Sequence, residues 1–225
     1  RFAPAVGKLA PVRIAIDANL AVSGQPDATS PTVAIDFALE VTRADKAGFD
    51  LLATVAGADM IDAPGAQPVS AGERAELTRI IGSTMTTTVA ANGQWGAIKV
   101  NVPLGTSITR ELFDTVAVGI GTSLVLPEQA IRKGATWTVA LPFELAGVAM
   151  LETTSYELAE LTTSKGRTTI AVKGAVAITG ADQTMMESGM SIDVSKIGGT
   201  GTAAFGLALA DAVPTGASKT TTAMT

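Results

Sequence analysis

Hydrophobic and polar residues alternate along the first third of the chain. Three runs, at residues 12–22, 33–42 and 49–60, place an apolar side chain at every second position, with mostly polar side chains between. A period of two is typical of a β-strand with one buried face, and a sheet with one solvated face is usually antiparallel. The three runs therefore predict neighbouring antiparallel strands.

The same alternation continues through the rest of the chain. Residues 80–91 and 95–102 are predicted strands joined by Asn92-Gly93, a hairpin signal because both residues tolerate positive φ. The second half predicts strands at residues 134–145, 149–161, 167–179, 199–210 and 219–224, with a methionine-bearing loop at residues 180–195.

One long stretch, residues 106–126, follows a helical period instead. Ile108, Leu112 and Val116 recur every four residues and would form one apolar stripe on a helix. We therefore predict one central helix over this stretch, and a single helical turn at residues 71–79.

The two halves of the chain match each other in order. Residues 33–60 align with residues 152–179 without a gap, although sequence rich in Ala, Thr and Val also matches itself by composition alone. The matched pairs are Phe37 with Tyr156, Leu39 with Leu158, Leu51 with Ile170 and Ala53 with Val172. Weaker matches set Ile14 against Trp137 and residues 79–84 against residues 195–200.

These patterns predict a mainly β (α+β) fold containing an internally duplicated antiparallel sheet. A lead-in arm, residues 1–11, would precede one domain, residues 12–225, made of repeats 12–103 and 134–225 joined by the helix. About ten strands is the size at which open sheets curl or close. We expect a rolled or barrel-like sheet with the helix inside its curvature, with a sandwich as the alternative.

Composition excludes several functions. Hydrophobic residues make up 47% of the chain but aromatics only 4%, so the core must be aliphatic. The net charge is −5 and no basic run occurs, which argues against a nucleic-acid partner. The longest apolar stretches, near residues 115–126 and 138–151, are shorter than a bilayer span, so we expect no transmembrane helix.

The chain contains no Cys and no His, which removes thiol chemistry, the usual general base and the commonest metal ligand. Ser164-Lys165 lies in a predicted hairpin turn without the spacing of a nucleophile and base. Asp17 and Asp36, and likewise Glu152 in the second half, are expected on the solvated face of the sheet. We therefore predict no catalytic, cofactor or metal site, and no enzyme.

Two apolar features are candidate interfaces. Met185, Met186 and Met190 cluster in one predicted loop, where flexible thioethers suit adaptable contacts or fill the core beneath it. Trp95 interrupts the alternation of the strand after the Asn-Gly turn. It would be an interface residue if it points outward, and a cap on the end of the sheet if it is tucked in.

Short motifs in the second half carry a resemblance. Leu126-Pro127, then Lys133-Gly134 and Trp137, followed by Tyr156-x-Leu158 and a strand containing Ile170, resemble an uncharacterised family of bacterial secreted proteins and lipoproteins over residues 84–211. The resemblance implies an extracytoplasmic location and no enzymatic activity, and it transfers no functional residue. The expected architecture is also similar to the half-barrels of lipoprotein carriers.

We therefore expect a non-enzymatic extracytoplasmic binding or scaffold protein, an accessory or structural component of a cell-envelope or extracellular assembly. Its partners would be other proteins or copies of itself. The alternative is a carrier of lipid or another apolar ligand between sheet and helix. A start at Arg1 suits removal of a signal peptide and suits a trimmed chain equally.

Overall fold

The computed structural model describes residues 1–17, 19–20, 28–62, 64, 68–102, 116, 124–145, 147–187 and 190–224. As the alternation predicts, the fold is mainly β and its strands pair antiparallel. The elements are β1 (Gly7–Lys8), β2 (Val12–Ile16), β3 (Asn19–Leu20), β4 (Ala28–Thr29), β5 (Thr32–Ala44), β6 (Gly48–Ile61), α1 (Ala71–Thr78), β7 (Thr84–Ala90), β8 (Lys99–Asn101), β9 (Thr136–Leu145), β10 (Val148–Ser164), β11 (Arg167–Thr179), β12 (Gln183–Glu187), β13 (Met190–Val194), β14 (Gly198–Ala208) and β15 (Thr215–Ala223).

The strands form two main sheets. In sheet I, β1 and β2 both pair with β5, and the order continues β5-β6-β7-β8. In sheet II the order is β9-β10-β11-β14-β15. Two small hairpins, β3–β4 and β12–β13, stand apart from these sheets, and the described strands close no barrel.

The inner faces of the two sheets contribute to one hydrophobic cluster. Aliphatic side chains dominate it, as the shortage of aromatic residues requires. Its buried members include Ile35, Phe37, Leu39, Val41, Leu51 and Val55 from sheet I and Tyr156, Leu158, Ile170, Val172 and Leu207 from sheet II. The described strands therefore form two antiparallel sheets that share one core.

The first residues of the chain connect the two sheets. The Phe2 amide donates to the Ala91 carbonyl at 2.8 Å, beyond the end of β7, and the Ala3 amide donates to the Leu209 carbonyl at 2.8 Å, beyond the end of β14. The Phe2 ring is buried in the shared core, and β1 pairs with β5. The segment predicted as a lead-in arm is therefore part of the packed structure.

The gapless match between the halves reappears as a common pairing register. Leu39 lies opposite Ala53 in sheet I, and their matched residues, Leu158 and Val172, lie opposite each other in sheet II. All four side chains are buried. The hairpins β5–β6 and β10–β11 thus repeat the same cross-strand arrangement, as the duplication hypothesis expects.

The weaker matches agree in strand order but not in register. Val12 pairs with Phe37, and Trp137 pairs with Tyr156, so Trp137 occupies the position of Val12 and not of Ile14. The match between residues 79–84 and residues 195–200 is also displaced, by four residues. The strand β14 begins opposite the last residue of β11, whereas β7, which starts at Thr84, begins opposite a residue in the middle of β6. A shift by an even number of residues leaves the alternation of apolar and polar positions in agreement, so the displaced matches still align in sequence.

The predicted helical turn at residues 71–79 is the helix α1. Ser70 caps it, because its hydroxyl accepts from the Glu73 amide while the Glu73 carboxylate accepts from the Ser70 amide. Arg74 ties α1 to the end of β6 through Asp59 at 3.3 Å, Asp62 at 3.1 Å and the Met60 carbonyl.

Most of the predicted central helix lies outside the described residues. Val116 is helical and buried in the shared core, but residues 124–126 are not helical, so the prediction runs too far at its C-terminal end. The Leu126 amide donates to the Asn92 carbonyl at 2.7 Å, and the Trp137 indole donates to the Val125 carbonyl at 2.7 Å. These bonds connect the segment to both sheets.

The predicted loop at residues 180–195 is wrong, because this segment contains the hairpin β12–β13. It forms a second hydrophobic cluster with residues of β10, β11 and β14 in sheet II. The buried members are Val148, Met150, Val176, Ile178, Val194, Ile197 and Ala203. One face of sheet II is therefore covered by two different partners.

Candidate functional site

The structure places Trp95 against the core. Trp95 forms an isolated bridge with Val89 and packs on the shared cluster, so it is the tucked residue of the two alternatives. Its half-buried ring also lines a small cleft, of about 300 Å³, together with Arg43 and Thr88. In that cleft the Arg43 guanidinium, bonded to Asp50 at 2.7 and 3.1 Å, lowers the pKa of that carboxyl.

The three methionines do not form a loop cluster. Met185 and Met186 are consecutive residues of β12, and Met190 begins β13 opposite Glu187. The half-buried Met185 packs against the second cluster, which is the core-filling alternative. The side chains of Met186 and Met190 lie outside the described residues, so their role as an interface stays a prediction.

Asp17 and Asp36 do not form a catalytic pair. Asp36 bonds Arg13 across the strands at 3.4 Å, while Asp17 accepts from the Thr32 hydroxyl. Because Asp36 lies opposite Arg13 and Asp17 is four residues from Arg13, the carboxylates of Asp17 and Asp36 are separated by roughly 13 Å along the strand direction. This separation is too large for a catalytic pair of carboxylates.

The exposed two-residue turn is Lys165-Gly166, and Ser164 is the last residue of β10, paired with Arg167 at the base of the turn. Positive φ at Lys165 (50°) and Gly166 (78°) is the geometry of such a hairpin. In the part of the chain that the structure describes, no three Asp or Glu side chains gather as metal ligands.

The inner face of β10 carries a polar ladder that sequence reasoning missed. Glu152, Thr154 and Tyr156 share this face, with the Thr154 hydroxyl donating to the Glu152 carboxylate at 3.0 Å. Tyr156 also stacks on Trp137, with ring centroids 5.3 Å apart. Burial raises the pKa of Tyr156 to about 12. Glu152, expected on the solvated face, is instead half-buried between the two hydrophobic clusters.

Burial of Glu152 makes the stability of the protein depend on pH. Desolvation raises the pKa of its carboxyl above the ordinary 4.5, although the bond from Thr154 opposes the shift. A raised folded-state pKa gives stability that is complete below the unfolded-state pKa and is lost as the pH rises through the folded-state pKa.

We therefore expect Glu152→Gln to be more stable than wild type at pH 7, by less than about 1 kcal/mol because solvent partly screens the carboxylate. Urea denaturation between pH 4 and pH 8 should show the advantage of the variant growing with pH. The matched control is Glu157→Gln, on the exposed face of the same strand, which should stay within about 0.5 kcal/mol of wild type. A Glu152→Gln variant less stable than wild type at pH 7 would contradict the burial argument.

The last described strand, β15, is an open edge of sheet II. It pairs with β14 over nine consecutive positions without a bulge; for example, Gly216 lies opposite Phe205 and Ala223 lies opposite Gly198. All nine of its residues are exposed. Its composition is Thr, Ser, Ala and Gly with one charge, Lys219. A long edge strand with unpaired backbone groups is a template for pairing with another chain.

The other edges are shorter or interrupted. Beside β5, Pro11 separates β1 and β2; β8 has three residues; and β9 contains Pro142, which has no amide hydrogen to donate. Short strands and prolines are common ways of protecting an edge. Among the described edges of the two main sheets, β15 is the longest strand that is exposed throughout and lacks proline, and Lys219 is its one charged residue.

A shallow cleft of about 590 Å³ lies beside β15 on the outer face of sheet II. Small residues such as Ala171 and Ala204 form part of it, and Glu157, Lys173 and Thr215 stand around it. It adjoins the start of β15, so a strand added at this edge would lie next to an accessible polar surface.

Comparison of the chain with protein-family models, curated proteins and solved structures found no match. None of the helical residues that the structure describes forms a helix long and apolar enough to cross a membrane.

Proposed function

We propose that the protein is a non-enzymatic binding or scaffold protein of an extracytoplasmic assembly, and that it associates through the free edge of β15. The observation that carries the proposal is a nine-residue edge strand with every residue exposed and one hydrogen-bonding side unpaired among the described strands. Backbone pairing along such an edge supplies affinity without requiring a deep pocket.

The surface beside the edge supports the same proposal. Sheet II presents Thr, Ser and Ala on its outer face, including Thr138, Ser155, Ala175 and Thr202 in one cross-strand row that ends at Lys219. Such a surface has few charges that would oppose a closely approaching partner. The proposed location outside the cytoplasm is supported by the resemblance of residues 84–211 to secreted proteins.

The aliphatic inner face favours a scaffold over a lipid carrier. Ile35, Leu39, Ile170 and Val172, which a carrier would turn toward its ligand, are buried in the cluster that both sheets share. A filled core between the two sheets explains these residues without a bound ligand.

The proposal is tested by photo-crosslinking in cells that produce the protein. A photoreactive amino acid at exposed Ser218 in β15 is expected to give covalent adducts of higher mass than the chain. The same probe at Lys46, exposed in the turn between β5 and β6, serves as the matched control and should give few. Normal amounts of folded protein without adducts at Ser218 would overturn association through β15.

A further inference from the structure

We propose that the partner of β15 is β15 of a second copy of this chain, paired antiparallel, with the two Thr220 residues facing each other on a two-fold axis. This inference rests on the proposed function, since it names the occupant of the same edge. The paired edges would join the two copies of sheet II into one continuous sheet of ten strands.

A symmetric pair requires the same open edge on both partners. Among the described main-sheet edges, β15 is nine residues long and lacks proline, whereas β8 is short and β9 contains Pro142. Pairing of β15 with another edge of a second copy would meet one of these interruptions. Pairing of β15 with itself meets none.

The charge of the strand narrows the choice of register. A two-fold axis at Lys219 would place two ammonium groups directly opposite each other, which is destabilising. An axis at Ser218 would place Gly216 opposite Thr220, and a glycine in a strand contributes no side-chain packing.

An axis at Thr220 avoids both problems. It sets Lys219 opposite Thr221, Ser218 opposite Thr222 and Ala217 opposite Ala223, over seven residues of the strand. Cross-strand pairs of Thr and Ser are favourable. The two lysines then lie diagonally across the axis, about 7–8 Å apart, and no longer directly opposite each other.

The absence of cysteine from the chain permits a direct test with single-cysteine variants. In the proposed register, residues directly opposite in an antiparallel pair have Cβ atoms about 4.5–5.5 Å apart, close enough for a disulfide after small adjustment. Under mild oxidation, Thr220→Cys should form a disulfide-linked dimer of twice the 22.7 kDa chain. Static light scattering of the wild-type protein should show the same doubled mass.

Matched control variants test the register of the β15 pair and measure the background rate of disulfide cross-linking. Ser218→Cys and Thr222→Cys should cross-link poorly alone but well when mixed, because each faces the other across the axis. Thr220→Cys should react at least about tenfold faster than exposed Lys46→Cys, since prepaired thiols have a high effective concentration. Fastest reaction of Ser218→Cys alone would overturn the register.

The outcomes separate this inference from the proposed function. Self-pairing through β15 is overturned if the protein is monomeric and its Thr220→Cys variant forms the disulfide-linked dimer no faster than Lys46→Cys. If Ser218 adducts in cells then contain a different protein, the scaffold proposal stands with another occupant. If no adduct forms, both proposals fail.

Discussion

Replacing Phe37 by alanine is expected to lower the free energy of unfolding by about 3–5 kcal/mol. The Phe37 side chain is 1% exposed, and its cluster contains residues of both sheets. Removing the ring leaves a cavity that the β5 backbone, paired on both sides, cannot readily close. Urea denaturation measures the loss as a lower midpoint at unchanged slope.

The two tryptophans make this variant a test of the shared core. Trp95 reports on sheet I through its bridge to Val89, and Trp137 reports on sheet II from β9. In versions carrying Trp95→Phe or Trp137→Phe, the remaining tryptophan should record the same shift of midpoint, because both sheets unfold together.

An unshifted midpoint for Trp137 in the Phe37→Ala background would show that the sheets unfold independently. The matched control is Thr42→Ala on the same strand, where the side chain is exposed. It should change the free energy of unfolding by less than about 0.5 kcal/mol.

Strand positions could be predicted from sequence because alternation is a local signal. The predicted bounds of β11 are those observed, and the hairpin register around Leu39 and Leu158 follows from the match between the halves. The partition into two sheets could not be predicted in the same way. Which edges pair depends on contacts between distant residues, and the same alternation suits one rolled sheet or two packed sheets.

Glu152 shows a missed signal of another kind. The match between the halves pairs Tyr156 with Phe37, which lies on the apolar face of its predicted strand, and Glu152, four positions before Tyr156, must share the face of Tyr156. The expectation that carboxylates face solvent overrode the parity. The ladder of Glu152, Thr154 and Tyr156 was therefore present in the alternation itself.

The open edge was hidden for a different reason. The sequence predicted a final strand only at residues 219–224, whereas β15 begins at Thr215. Its Thr-rich composition carries no apolar face that would mark its limits. Among the described strands it pairs only with β14, and this is a property of the sheet order, which no local pattern contains.

Gly201→Ala is expected to detach β15 from β14. A Cβ at Gly201 would overlap the Lys219 carbonyl oxygen and stand 2.6 Å from Thr220 Cγ2. The overlap with backbone cannot be relieved by a side-chain rotation, and overpacking of this kind costs about 1–3 kcal/mol. Moving the edge strand away costs only its pairing with β14, because β15 is otherwise exposed. Hydrogen exchange should show lost protection at residues 215–223 while β10 and β11 stay protected.

Gly198→Ala is the matched control on the same strand, because its Cβ would approach nothing more closely than the Ile178 carbonyl oxygen at 4.0 Å. It should leave β15 protected. The pair of variants also links the edge to assembly: if association runs through β15, Gly201→Ala should abolish the doubled mass in light scattering and the Thr220→Cys cross-link, while Gly198→Ala should keep both. A Gly201→Ala protein that remains dimeric with β15 detached would place the interface elsewhere, since a displaced strand cannot hold the hydrogen-bonding edge in register for a second copy.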